Sequence, residues 1–83
     1  MYSLTIEKSA LKNLQKIPKS DQDNIVTAIQ DLMFHQRPIG SKKLTGRSGW
    51  RLRVGRYRII YEINDTVYSI LVIDIGHRKD IYC

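Results

Sequence analysis

The last eight residues, GHRKDIYC, place His77, Arg78, Lys79, Asp80 and Tyr82 within six positions, directly after the apolar run VYSILVIDI. These side chains divide proton work between them. A histidine, with an ordinary pKa of about 6.5, exchanges a proton near neutral pH, whereas an arginine donates hydrogen bonds and gives up its proton only with difficulty. A tyrosine, near 10, is a poor base unless nearby positive charge lowers its pKa. The tail is therefore either a solvated end or one side of an active site, and the choice depends on what faces it.

The segment WRLRVGRYRIIYEI supplies a candidate. Strict alternation puts Trp50, Leu52 and Val54 on one face of a strand and Arg51 and Arg53 on the other. A two-residue turn at Gly55 and Arg56 then carries Arg58 of the next strand close to Arg53. Like charges on adjacent strands cost up to about 1 kcal/mol for an opposed pair, so the cluster calls for full solvation or an anionic ligand. Guanidinium is planar, permanently charged and able to grip two phosphate oxygens at once, which makes a phosphate cradle the functional reading. The arginines belong to a longer run, Arg37, Lys42, Lys43, Arg47, Arg51, Arg53, Arg56 and Arg58, with no carboxylate among them. In the preceding part, Lys8, Lys12, Lys16 and Lys19 are matched by Glu7, Asp21, Asp23 and Asp31, so the net charge of +6 resides in one segment. Nucleic acid, a phospholipid surface or an acidic protein would each be attracted, and a solvated basic face is the alternative.

The elements that must position these groups follow from hydrophobic period. YSLTI alternates and predicts a short strand; Ala10, Leu11, Leu14 and Ile17 fall at helical spacing up to Pro18. Ser20 with Asp23 resembles a capping box opening a second helix, whose core stripe is Ile25, Ala28, Ile29, Leu32 and Met33, up to Pro38 and Gly40. RPIGSKKLTGRSG reads as a cationic loop pinned by Ile39 and Leu44. In YRIIYEI, Tyr57, Ile59, Tyr61 and Ile63 share one face and Arg58, Ile60 and Glu62 the other; NDT turns the chain, and VYSILVIDI makes a central strand that ends at Gly76. The expected architecture is α+β, in the order β-α-α-β-β-β, with a helix hairpin on one face of a mainly antiparallel twisted sheet. His77 and Arg78 would project near the end of that last strand, and His35 reads as a structural group at a helix C-terminus.

An 83-residue chain, 42% hydrophobic and 27% charged, is expected to form one small domain over residues 1–83. No apolar stretch approaches the roughly 20 residues that span a bilayer, and MYSLTIEKSA lacks a signal-peptide pattern. The single cysteine, Cys83, cannot form an internal disulfide and fits a reducing cytoplasm. Two histidines and one cysteine, well separated, give no metal-ligand spacing, and no glycine-rich phosphate loop is present, so the expectation is a reaction with neither metal nor cofactor.

The order KKLTG, WRLRVGRYRIIYEI, ILVIDIGHRKDIY resembles the RelE/ParE toxin superfamily, and more closely its RelE branch of ribosome-dependent mRNA endoribonucleases; ALKNLQKIP lies where that family has its helix hairpin. The resemblance implies a toxin of a type II toxin–antitoxin pair, with a cognate RelB-like antitoxin, the ribosome and mRNA as partners and no membrane. It places the functional cations at Arg51, Arg53, Arg58 and Arg78, and the functional tyrosine at Tyr82, beside further phosphate-binding candidates Lys42, Lys43, Arg47 and Arg56. The implied reaction is attack of an RNA 2′-OH on the adjacent phosphate, leaving a 2′,3′-cyclic phosphate and a 5′-OH. Arg58 would hold the phosphate, Tyr82 would act as base, and His77 on proton chemistry, or Arg78 on family position, would protonate the leaving oxygen. Two departures stand out: arginines occupy Arg51 and Arg53 where lysines are frequent, and Glu62 has no match to the glutamate base of other branches. A ParE-like inhibitor of DNA gyrase and a non-catalytic nucleic-acid-binding regulator are the other readings, since one fold serves all three.

Overall fold

The alternating and helical segments assemble, in a computed structural model that describes residues 1–77, into a five-stranded sheet with two helices on one face. The elements are β1 (Ser3–Ile6), α1 (Lys8–Gln15), α2 (Lys19–Asp31), β2 (Ser41–Lys43), β3 (Trp50–Val54), β4 (Tyr57–Asn64) and β5 (Ser69–His77). The sheet order is β1-β5-β4-β3-β2, with β1 parallel to β5 and every other pairing antiparallel. β2 is a correction to the expected loop: three residues of RPIGSKKLTGRSG pair with β3, with Lys42 opposite Arg51 and Lys43 opposite Trp50. Its brevity and its lysines suit an edge strand.

The helix hairpin is closed by side-chain amides rather than by the expected capping box. α2 starts at Lys19, its N-cap is Pro18, and no side chain caps it; Asp23 instead pairs with Lys19 at 3.1 Å. Gln22 Nε2 donates to the Ile17 carbonyl at 2.7 Å and the Gln15 carbonyl at 3.4 Å, so the first turn of α2 satisfies the last carbonyl of α1 and one in the turn that follows it. At the other end, Gln36 Nε2 donates to the carbonyls of Leu32 and Met33, terminating α2 in the same way.

The core lies between this hairpin and the sheet: Ala10, Leu14, Ile17, Ile25, Ile29 and Leu32 meet Leu52, Ile59, Tyr61, Ile70, Val72 and Ile75. Each fully buried Leu or Ile contributes roughly 1.5–3 kcal/mol relative to exposure. Leu11, expected in the core, is 41% exposed, and Ile39, expected to pin the cationic loop with Leu44, is fully exposed, so Leu44 anchors that loop without it. Val67 and Tyr68, expected in the last strand, form part of the exposed β4–β5 turn, where Asn64 Oδ1 accepts from the N–H groups of Thr66 and Val67.

A bulge in β5 decides which face each later residue of that strand presents. Ile60 pairs with Asp74 but Tyr61 pairs with Val72, leaving Ile73 without a partner on β4. Ile73 packs with Ile60 and Leu44 on the face away from the helices, while Ile70, Val72 and Ile75 all reach the core. The Asp74 carboxylate accepts from Asn13 Nδ2 of α1 at 3.2 Å and from the Ile75 N–H at 2.9 Å, which holds the irregularity in place.

Tyr61, wholly buried, donates to the Gln36 carbonyl at 2.9 Å, and burial raises its phenol pKa. Tyr61→Phe, which leaves that carbonyl without its donor, is expected to lower unfolding free energy by about 1 kcal/mol in urea denaturation at pH 7. Near the chain start, the Asp65 carboxylate accepts from the Tyr2 hydroxyl at 2.6 Å and from Arg37 at 2.8 Å, and these bonds hold its pKa below the ordinary value. The stability it contributes is therefore complete above its unfolded pKa of about 4 and is lost as pH falls through the lower folded value. Asp65→Asn should be less stable than the parent at pH 7, and the two unfolding midpoints should converge as the pH falls below the folded Asp65 pKa.

Candidate nucleic-acid interface

The sheet face left open by the helices carries the cations. In β3 the side chains of Arg51 and Arg53 alternate with those of Trp50, Leu52 and Val54, which pack toward the core. The β3–β4 turn is two residues long, and Gly55 at its first position has φ +59°, the left-handed geometry that a two-residue hairpin of this kind requires there. Its tightness makes Arg53 and Arg58 direct cross-strand partners. Opposite Arg58 on the other side stands Gly76, which adds no side chain.

Arg51, Arg53 and Arg58, with Lys42 and Gly40, line a cleft of about 330 Å³. A second of about 220 Å³ is lined by Lys42, Lys43, Leu44, Thr45 and Arg51. A third, about 750 Å³, lies where β3 begins and β4 ends, lined by Lys43, Arg47, Ser48, Trp50 and Glu62 among others. Lys42 and Arg51 belong to the first two clefts and Lys43 to the last two, so the three form one continuous basic track along β2. Arg56 sits exposed in the β3–β4 turn beside its first cleft. The loop that borders the third cleft closes through the Leu44 N–H donating to the Gly49 carbonyl at 3.0 Å. Gly49 has φ +119°, and a Cβ there would stand 3.2 Å from Leu44 Cδ1 and 3.3 Å from the Tyr61 carbonyl, so only glycine closes it without strain.

His77 is elsewhere. It remains within β5, paired with Tyr57, and its ring meets the Tyr57 ring edge-on with centroids 5.8 Å apart. Tyr57 faces the helices and donates to Asp21 at 3.3 Å, so His77 lines a pocket of about 410 Å³ with Asn13, Lys16 and Tyr57, on the helix side of the sheet. This corrects the expectation that the strand ends at Gly76 with His77 projecting beyond it: His77 is still in the ladder, and the bulge at Ile73 shifts the alternation and places it on the face opposite the arginines. Burial first, then the neighbouring Asp21 charge, raises the Tyr57 phenol above its ordinary value, so it stays protonated near neutral pH. Arg78 and Tyr82 lie outside the described residues. Among the described residues no cluster of three or more metal-ligating side chains occurs, and no helix is long and apolar enough to cross a membrane.

The chain, with this fold, has relatives among known proteins. A family model described as the ParE toxin of the type II toxin–antitoxin system, parDE, matches residues 4–82. The chain belongs to this toxin family. It is 28% identical, over 98% of its own length and 95% of the relative's, to Toxin RelG of Mycobacterium tuberculosis (strain ATCC 25618 / H37Rv). The fold superposes on the toxin of an archaeal RelE–RelB complex from Pyrococcus horikoshii OT3 with a TM-score of 0.85, at 27% identity over 96% of this chain and 98% of that one. A RelB–RelE antitoxin–toxin complex from Methanococcus jannaschii gives 0.73 at 28% identity, covering 93% of each chain. The protein is thus a RelE-like toxin of a type II toxin–antitoxin system.

Hydrophobic and charge patterning did not signal two contacts: the Ser48–Glu62 bond at 3.1 Å, which joins a loop residue to a strand residue, and the Asp21–Tyr57–His77 cluster. Only the placement of Glu62 on the Arg58 face was signalled, by the β4 alternation. The opposed Arg53 and Arg58 predict a measurable strain. Arg53→Gln should raise thermal stability at low salt by an amount equivalent to at most about 1 kcal/mol, and the gain should disappear near 1 M salt, where screening acts within about 3 Å.

Proposed function

We propose that the toxin is a ribosome-dependent, metal-independent mRNA endoribonuclease that cuts in the A site, with the scissile phosphate held in the cleft of Arg51, Arg53 and Arg58. The observation that carries this reading is the cross-strand arginine pair, with Arg51 and Lys42 beside it and no carboxylate among the described lining residues. A purely soluble sheet face has no need to concentrate four cations on one concavity, whereas a phosphate passing through a more highly charged transition state does.

In the proposed reaction the RNA 2′-OH loses its proton to a base and its oxygen bonds to the adjacent phosphorus. The bond from phosphorus to the 5′-oxygen breaks, and that oxygen takes up a proton. Arg58 stabilises the developing negative charge, and Arg51 and Arg53 neutralise the flanking backbone. Tyr82 is the proposed base, its pKa depressed by the arginines, and Arg78 the proposed proton donor. His77 lines the pocket on the helix side of the sheet, so in this proposal that step goes to Arg78, the group at the family position. Residues 1–83 would act as one toxin domain in the cytoplasm. Its partner would be a RelB-like antitoxin, as in the RelB–RelE complexes it resembles, with an acidic segment suited to the basic track.

The match to a ParE family model supports a second reading, inhibition of DNA gyrase by binding. Purified toxin added to translating ribosomes, with mRNA ends mapped by primer extension, separates the two: codon-phased cuts support the nuclease, and intact mRNA with inhibited gyrase supports the binder. Arg58→Ala should slow cutting roughly 100- to 1000-fold, and Arg78→Ala and Tyr82→Phe should each relieve growth arrest without changing the unfolding midpoint.

A further inference from the structure

The third cleft of the basic track holds a group that phosphate binding does not explain. Glu62 supplies the one carboxylate among the described residues lining the three clefts. Its Oε2 accepts from Ser48 Oγ at 3.1 Å, and its strand neighbour across the ladder is Leu71. A carboxylate beside Lys43 and Arg47 weakens the attraction of this end of the track for phosphate oxygens, being acceptor-only and of their own sign. It is suited instead to N–H donors. Unstacked RNA bases present such donors on their Watson–Crick edges, where proteins read them. Guanine alone offers two adjacent donors there, N1–H and the 2-amino group, spaced to meet the two oxygens of one carboxylate. Adenine and cytosine each set an acceptor nitrogen beside their amino group, and uracil flanks its single N–H with two carbonyls. The acceptor edges of those three bases would face the Glu62 oxygens with like partial charge.

The rest of the cleft fits a base. Leu71, the ladder partner of Glu62, contributes apolar surface on the carboxylate's own face. Trp50, which packs toward the core, borders the cleft where β3 begins, with Arg37 over its ring at 5.3 Å and bonded in turn to Asp65 at 2.8 Å. The Ser48 contact ties the carboxylate to the loop closed by Leu44 and Gly49, so its orientation is set before a base arrives. About 750 Å³ is ample for one nucleobase. Arg53 and Trp50 are three residues apart in β3, roughly 10 Å along the strand. The cleft is therefore displaced from the arginine pair by enough to take a nucleotide other than the one cut, and the shared Lys42, Arg51 and Lys43 provide the path between.

We infer that this cleft reads a guanine flanking the cut through the Glu62 carboxylate, with Ser48 as its positioning residue; the inference rests on the RNA-cleaving reading proposed above. The test maps mRNA ends on translating ribosomes for the parent, Glu62→Gln and Ser48→Ala, with unfolding midpoints measured alongside. The parent should enrich guanine at one fixed position beside the cut. Glu62→Gln, which puts an amide donor where one acceptor stood, should reduce that enrichment at least about fivefold while cutting continues, and Ser48→Ala should reduce it less. Should Glu62→Gln fail to fold, the partial loss in Ser48→Ala, at an exposed loop position, still decides the matter. Cuts by the parent with no fixed guanine, or an enrichment unchanged in the variants, overturn the inference and leave the nuclease reading standing. Absence of any cut by the parent overturns the nuclease reading and the inference with it.

Discussion

One unpaired residue in β5 governs which side chains can meet at the end of the sheet. Side chains on a strand alternate between faces, so a single extra residue transfers every later position to the other face. Ile73 is that residue. It lets Ile70, Val72 and Ile75 all reach the core, gives Ile60 and Leu44 a partner on the open face, and moves His77 beneath Tyr57. The Asp74 carboxylate, bonded to α1 and to the backbone of Ile75, keeps the distortion from relaxing into a regular ladder. The position opposite Arg58 is Gly76, which adds no side chain, and the charged groups lining the cleft there are all cations among the described residues.

The helices and the cations are two consequences of one division of the sheet. The hairpin covers one face and supplies nearly all the apolar burial, which leaves the other free to hold arginines whose mutual repulsion a packed face could not tolerate. Amide side chains, Gln22 and Gln36, satisfy carbonyls where the chain leaves each helix, while the N-terminus of α2 has no side-chain cap. The Asp65 carboxylate that binds Arg37 stands at the periphery, outside the lining of the arginine cleft. Positive charge gathered in this way attracts a polyanion and stabilises negative charge that develops on it.

Much of this architecture was legible in the chain. Period-two spacing identified β1, β3 and β4 and the faces of Arg51, Arg53 and Arg58, because each of those strands is half-buried and its polar positions mark the exposed side. β2 was hidden in a stretch of Gly, Ser and Lys, since a three-residue edge strand is stabilised by its partner's hydrogen bonds and carries no hydrophobic pattern of its own. Leu11 was overcounted as core and Ile39 as a loop anchor because residue type alone does not say which flank of a helix, or which side of a loop, faces the sheet. The Ser20–Asp23 box gave way to Pro18, whose fixed φ places the N-cap two residues earlier.

The amino-acid sequence by itself determined the element types, the concentration of charge between Arg37 and Arg58 and the resemblance to RelE-like toxins, because composition and short periodicities are local properties. The tertiary structure decided which groups share a surface. VYSILVIDI is apolar at nearly every position, so its alternation cannot reveal a bulge, and the face of His77 depends on pairing with β4. The joining of three clefts into one basic track, and the meeting of Ser48 with Glu62 inside it, likewise needed the sheet order, because contacts between residues far apart in the chain exist only once strands are placed side by side.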